Sequence, residues 1–193
     1  MSEPAEILVA DAAAWRAYLD GTDADGVWLV LAKKGTTEPT KLSYAEALEE
    51  ALCFGWIDGQ VRRRDEVTYR QRFTPRRTRS VWSKRNVAHA ERLVAEGRMT
   101  PAGLTAIERA KADGRWEAAY AGPATIQVPP ELAAALAGEP KASAMFETLT
   151  SQNRYAILHR LALAKRPETR TRRIEQFVAM LARGETIHPQ KRG

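Results

Sequence analysis

Between Cys53 and Asn86 the chain interleaves arginines with aromatic and small polar side chains. Arg62, Arg63, Arg64, Arg70, Arg72, Arg76, Arg77 and Arg79 share the segment with Trp56, Tyr69, Phe73 and Trp82. Guanidinium groups fork onto carboxylates and phosphates, and aromatic faces stack on rings or bases. Ser80, Ser83 and Asn86 add small hydrogen-bonding groups beside the expected start of a helix, where free N–H groups and the dipole favour anions. These residue types select an anionic ligand, with nucleic acid and phosphorylated metabolites both in the class. The plainer alternative is a solvated face or a blunted sheet edge, with each aromatic belonging to the core.

A second chemistry centres on Asp58, a carboxylate set between Trp56 and Gln60 and close in sequence to Arg62, Arg63 and Arg64. It can serve as a general acid or base, or simply supply a turn and pair with an arginine. Other chemistries find no support. His89, His159 and His188 are far apart, with no His-Glu-x-x-His or His-x-His spacing, so no metal site is expected. AKKGTT after the first apolar run lacks the leading glycine and the Lys-Ser/Thr order of a phosphate loop, and no cofactor is expected. Cys53, the single cysteine, sits beside Leu52 and Phe54 and reads as a buried thiol, since a nucleophile needs an exposed cationic setting.

These residues need elements to hold them. Trp15 and Leu19 mark a short helix over 12–19, and VWLVLAKK (27–34) is rich in strand formers. Ser43 with Glu46 predicts a capping box on a helix ending near Gly55, with Ala45, Leu48, Ala51 and Leu52 inward and Glu49 and Glu50 on a solvated face. Residues 56–63 read either as a hairpin tip at Asp58-Gly59 or as one strand with a bulge at Gly59. In the next strand, 67–74, Val67, Tyr69, Gln71 and Phe73 share one face and Thr68, Arg70, Arg72 and Thr74 the other. Pro75 stops it. A helix capped at Ser83 and ended at Gly97 should turn Val87, Ala90 and Val94 inward, and one from Thr100-Pro101 to Gly114 should bury Leu104 and Ile107. After the proline-rich stretch 121–130, helices are predicted near 130–137, 140–148, 151–164 and 167–184, with a frayed HPQKRG tail.

The 193 residues and 44% hydrophobic content suit one substantial core or two docked units. Net charge is +6, but residues 1–52 carry −6 and residues 53–86 carry +7, so the excess forms a local cationic face. The N-terminus has no cationic n-region or apolar h-region, and no run is long enough to span a membrane; a cytoplasmic location without membrane insertion is expected. The oligomeric state is carried by no readable motif.

FGWIDG (54–59), QRFTPRR (71–77), SVWSKRN (80–86), EGRMTPAGL (96–104) and AKRPETRTRRI (164–174) closely resemble, in order and over nearly the whole chain, the YdeI/OmpD-associated or bacteriocin-protection family. The resemblance implies a role in bacterial stress or antimicrobial-peptide tolerance and brings no established reaction. The expected fold is α+β: a small antiparallel sheet of about three strands covered by helices over 1–121, then a helical region over 122–193. There Arg170 and Arg173, three apart on one helix, would extend the cationic surface. Two functions follow. One is a non-enzymatic anion-binding protein using Trp56, Asp58, Gln60, Arg62, Arg70, Arg72, Phe73, Arg76, Arg77, Ser80, Trp82, Ser83 and Asn86. The other is a small enzyme with Asp58 as acid or base and arginines clamping an anionic substrate.

Overall fold

Ser43 and Glu46 start a helix as their spacing predicts: the Glu46 N–H donates to Ser43 Oγ, and the Ser43 N–H donates to the Glu46 carboxylate at 3.0 Å. The structure, a computed structural model, describes residues 3–190. Its chain divides into two compact units, Met1–Ala119 and Tyr120–Gly193.

The first unit contains β1 (Glu6–Ile7), α1 (Ala12–Gly21), β2 (Val27–Ala32), α2 (Tyr44–Cys53), β3 (Trp56–Arg63), β4 (Thr68–Pro75), α3 (Lys84–Ala95) and α4 (Pro101–Ala112). The sheet order is β1-β2-β4-β3. β2 and β3 each pair antiparallel with β4, as expected, while β1 adds a fourth, parallel strand that the sequence did not announce. Two residues are too few to show a period, and β1 is held by backbone pairing, including the Trp28 N–H on the Ala5 carbonyl at 2.9 Å. Of the two readings of 56–63, the bulge is the one present: register shifts between Asp58 and Val61, and Gln71 Nε2 donates to the Gly59 carbonyl at 2.7 Å.

One core cluster joins Trp15 and Leu19 of α1, Val27, Leu29 and Leu31 of β2, Ala47 and Ala51 of α2, Trp56 and Phe73. A second joins Leu48, Leu52 and Cys53 to Trp82, Leu93, Ile107, Ala110 and Trp116. Three inward assignments need correcting: Ala45, Val94 (45%) and Leu104 (39%) are exposed, while Ala47, Leu93 and Gly103 face in. For α4 the reason is a close approach. Thr100 Oγ1 donates to the Cys53 carbonyl at 2.7 Å, and a Cβ on Gly103 would overlap that same oxygen. The helix face is therefore set by its smallest residue. The acidic side of α2 is no solvated face either: Glu50 is buried between Arg16 (2.7 Å) and Arg98 (2.6 Å), and Glu49 pairs with Arg92 and Arg98.

The second unit is helical, as expected, with α5 (Pro130–Ala137), α6 (Pro140–Glu147), α7 (Ser151–Ala162) and α8 (Pro167–Ala182). Three of these carry proline in the first turn, where its missing N–H costs nothing. Their core holds Leu132, Leu136, Phe146, Ile157, Leu161, Ile174 and Leu181. Arg170 and Arg173 do not extend a cationic surface. They donate to the carbonyls of Leu161 and Arg160 at the end of α7, where unpaired carbonyls need donors, and Arg170 also pairs with Glu131. The tail is not frayed over 188–190: buried Asn153 accepts from the His188 N–H at 2.8 Å and donates to Gln190 Oε1 at 2.8 Å. The rest of HPQKRG, 191–193, lies outside the described residues.

Candidate functional site

The alternation read in 67–74 places Arg70 and Arg72 on one side of the sheet, joined by Arg62, whose Cα pairs with that of Arg70. Trp28 lies directly opposite Arg72 on β2, and the guanidiniums of Arg62 and Arg70 cover its ring at 4.5 and 5.4 Å. This face is far less cationic than the sequence implies. Arg62 pairs with Glu3 at 3.0 Å, Arg70 with Glu6 at 3.2 Å and Arg64 with Glu6 at 2.9 Å. The acidic N-terminal residues thus neutralise part of the basic segment.

Of the aromatics expected to stack, Phe73 and Trp82 are buried and Tyr69 packs partly buried against the first core cluster; Trp56, another expected ligand residue, is buried too. Phe73 is 0%, Trp82 2% and Trp56 6% exposed. Phe73 and Trp56 pack around Trp15, with ring centroids 5.7 and 6.3 Å away. A strand residue facing α1 cannot also face solvent. Asp58 accepts a hydrogen bond from Tyr44 at 2.9 Å, and Arg85 stands 5.8 Å from the Tyr44 ring. Burial, and then the Asp58 charge, push the Tyr44 phenol well above the usual tyrosine range. Ser83 caps α3 by accepting from the Asn86 N–H, and Asn86 is itself buried. Ser80 Oγ accepts from the Arg77 N–H at 2.9 Å and shapes the turn after β4. Burial raises the pKa of the Cys53 thiol, opposite to what a nucleophile needs.

Arg76, Arg77 and Trp82 meet in a cleft of about 350 Å³ whose other wall is α4. Ala102, Thr105, Ala106 and Arg109 line it, at the i, i+3, i+4, i+7 spacing of one helix face, and Arg115 completes the rim. Each arginine is held differently. Arg76 lies 3.5 Å over the Trp82 ring, with Nη1 on the Val81 carbonyl at 3.1 Å, and its backbone N–H reaches the Gly55 carbonyl. Arg115 is fixed by Asp113 (2.7 Å) and by the Ser80 carbonyl (2.6 Å). The guanidiniums of Arg77 and Arg109 have no hydrogen bond or ion pair among the described residues. Trp82 Nε1 is a buried donor with no partner among the described residues. Among the described residues no carboxylate side chain lines the cleft, although Asp113 pairs with Arg115 at its rim. Four guanidiniums around one concavity are suited to a small polyanion.

Arg109 and Arg115 were not among the expected site residues; the signal that marks Arg109 is the small-residue stripe of α4 ending in an arginine. Gln60, Arg62 and Arg72 lie elsewhere, around a second cleft on the sheet face. Among the described residues no three His, Cys, Asp or Glu side chains gather as metal ligands, and no helix is long and apolar enough to cross a membrane.

A family model described as a domain of unknown function (DUF8412) matches residues 7–106, and one described as bacteriocin-protection, YdeI or OmpD-associated matches residues 125–184. The resemblance drawn from five segments is thus upheld over the C-terminal region, where AKRPETRTRRI lies, while the other four fall under the first model. No curated protein and no solved structure matches the chain.

Proposed function

We propose that this chain, which belongs to the family described as a domain of unknown function (DUF8412) and carries a bacteriocin-protection, YdeI or OmpD-associated domain over 125–184, is a non-enzymatic binder of a small polyanion. The supporting observation is the cleft between the β4–α3 connector and α4, where Arg76, Arg77, Arg109 and Arg115 converge with no lining carboxylate among the described residues. Two of them, Arg76 and Arg115, are held in place before any ligand arrives, which lowers the ordering cost of binding. The size suits a phosphorylated metabolite better than a nucleic-acid strand, and the burial of Phe73, Trp56 and Trp82 leaves no stacking platform. The enzymatic alternative gains nothing, because Asp58 is hydrogen-bonded to Tyr44 and does not line the cleft. In this reading the protein works in the cytosol, and ligand capture lies upstream of stress or antimicrobial-peptide tolerance.

Calorimetric titration with pyrophosphate at low ionic strength tests the proposal. Wild-type protein should bind, and each of Arg77→Ala and Arg109→Ala should weaken binding about ten- to a hundredfold, from about 1.5–3 kcal/mol per charged hydrogen bond. Circular dichroism and melting should stay unchanged, because neither guanidinium has a partner to lose. Absence of wild-type binding, or equal binding by both variants, overturns the reading. Tighter, salt-sensitive binding of a single-stranded oligonucleotide than of pyrophosphate would return the assignment to nucleic acid.

A further inference from the structure

Arg72 is the exception on its face of the sheet. Arg62, Arg64 and Arg70 all meet Glu3 or Glu6, whereas Arg72 has no hydrogen bond and no ion pair among the described residues. Its Nη1 is nevertheless buried. Two glycines make room for the side chain. A Cβ on Gly26, whose φ is +132°, would stand 2.6 Å from Arg72 Nη2, and one on Gly59, in the bulge, would stand 3.5 Å from Arg72 Cβ. Burial without a counter-ion holds the Arg72 pKa below the usual arginine value. A guanidinium nitrogen shielded from water without a partner is a donor that a bound ligand can satisfy.

The surroundings define that ligand. Arg72 lines a cleft of about 630 Å³ with Gln60, Thr74 and Arg62, and Glu3 stands at its margin. Thr74 and Gln60 offer neutral hydrogen-bonding groups, and the anions already seated on neighbouring guanidiniums of this face are the Glu3 and Glu6 carboxylates. We propose that this cleft is a second anion site, separate from the Arg77–Arg109 cleft, which takes the carboxylate of a small organic acid on the fork of Arg72. Glu3, exposed and bound to Arg62 at 3.0 Å, competes at the rim and yields when a dicarboxylate brings a second charge.

Malonate titrated into the full chain, followed by the arginine side-chain N–H resonances and by thermal melting, tests the site. Wild type should show a saturable shift at about millimolar concentration. Arg72→Met, which keeps the packed stem, and Arg72→Lys, which keeps the charge but loses the fork, should each reduce affinity about tenfold or more. Glu3→Gln should tighten binding by a few-fold, and Arg77→Ala should leave it unchanged, which keeps this site distinguishable from the other cleft. At the Arg72 resonance of the Arg77→Ala protein, where the other cleft is weakened, inorganic phosphate should bind more weakly than malonate. No wild-type response, an undiminished response in a folded Arg72 variant, loss of it in Arg77→Ala, or phosphate binding as tight as malonate at the Arg72 resonance of Arg77→Ala would each overturn the assignment.

Discussion

Phe73 and Arg72 are adjacent on β4 and have opposite roles: one ring is sealed among Trp15 and its neighbours, and one guanidinium is turned to the other face of the sheet. Phe73→Ala should therefore cost about 3–5 kcal/mol of stability, read as a lower urea midpoint, while pyrophosphate affinity of the folded fraction is unchanged. An unaltered midpoint would show that the ring is not part of the core. Strand alternation separates these two residues in the sequence. What it cannot specify is which face a helix will cover, since Trp15 arrives from 58 residues earlier in the chain. Sequence separation likewise hid Arg109, whose place in the cleft depends on α4 packing through Gly103, and Arg115, held from 35 residues away by the Ser80 carbonyl.

Elements with a chemical start signal were the readable ones. The Ser43–Glu46 box, the Ser83 cap and Thr100-Pro101 all begin helices where their side chains satisfy free N–H groups. β1 has no such signal. The β3–β4 hairpin has one that sequence reading passed over: the Asp65 carboxylate accepts from the Thr68 hydroxyl at 2.7 Å, the Thr68 N–H at 2.7 Å and the Val67 N–H at 3.0 Å, with Arg64 beside it. These bonds hold its pKa at about 2, below the ordinary 3.8. Because the folded value is depressed, the stabilising effect is fully present above the unfolded value and is lost as pH falls through the folded one. Melting temperature should drop between about pH 4 and pH 2 by more in wild type than in Asp65→Asn, which starts lower and has no such carboxylate to titrate. Equal slopes for the two proteins would remove Asp65 as the hairpin's clasp.

Over the whole molecule, charges segregated along the sequence are mixed in space. The N-terminal acids lie against arginines of β3, β4 and the turn between them, so the net charge of +6 overstates the free cationic surface. Glu3→Gln with Glu6→Gln should release Arg62, Arg64 and Arg70 and raise affinity for duplex DNA. The log affinity against log salt should steepen by about 2–3, since each phosphate contact releases about 0.9 counterion. Fluorescence anisotropy of a labelled duplex across a salt series measures this, and an unchanged slope would show that the three arginines stay masked.

The indole beneath Arg76 has a practical consequence. Trp82 lies between the Arg76 guanidinium, 3.5 Å above its ring, and Trp116, whose ring is 4.8 Å away. An anion entering the cleft pulls on that guanidinium and changes the charge felt by the excited indole. Intrinsic emission should therefore report occupancy in an unlabelled protein, and Trp82→Phe among the five tryptophans identifies the reporting ring.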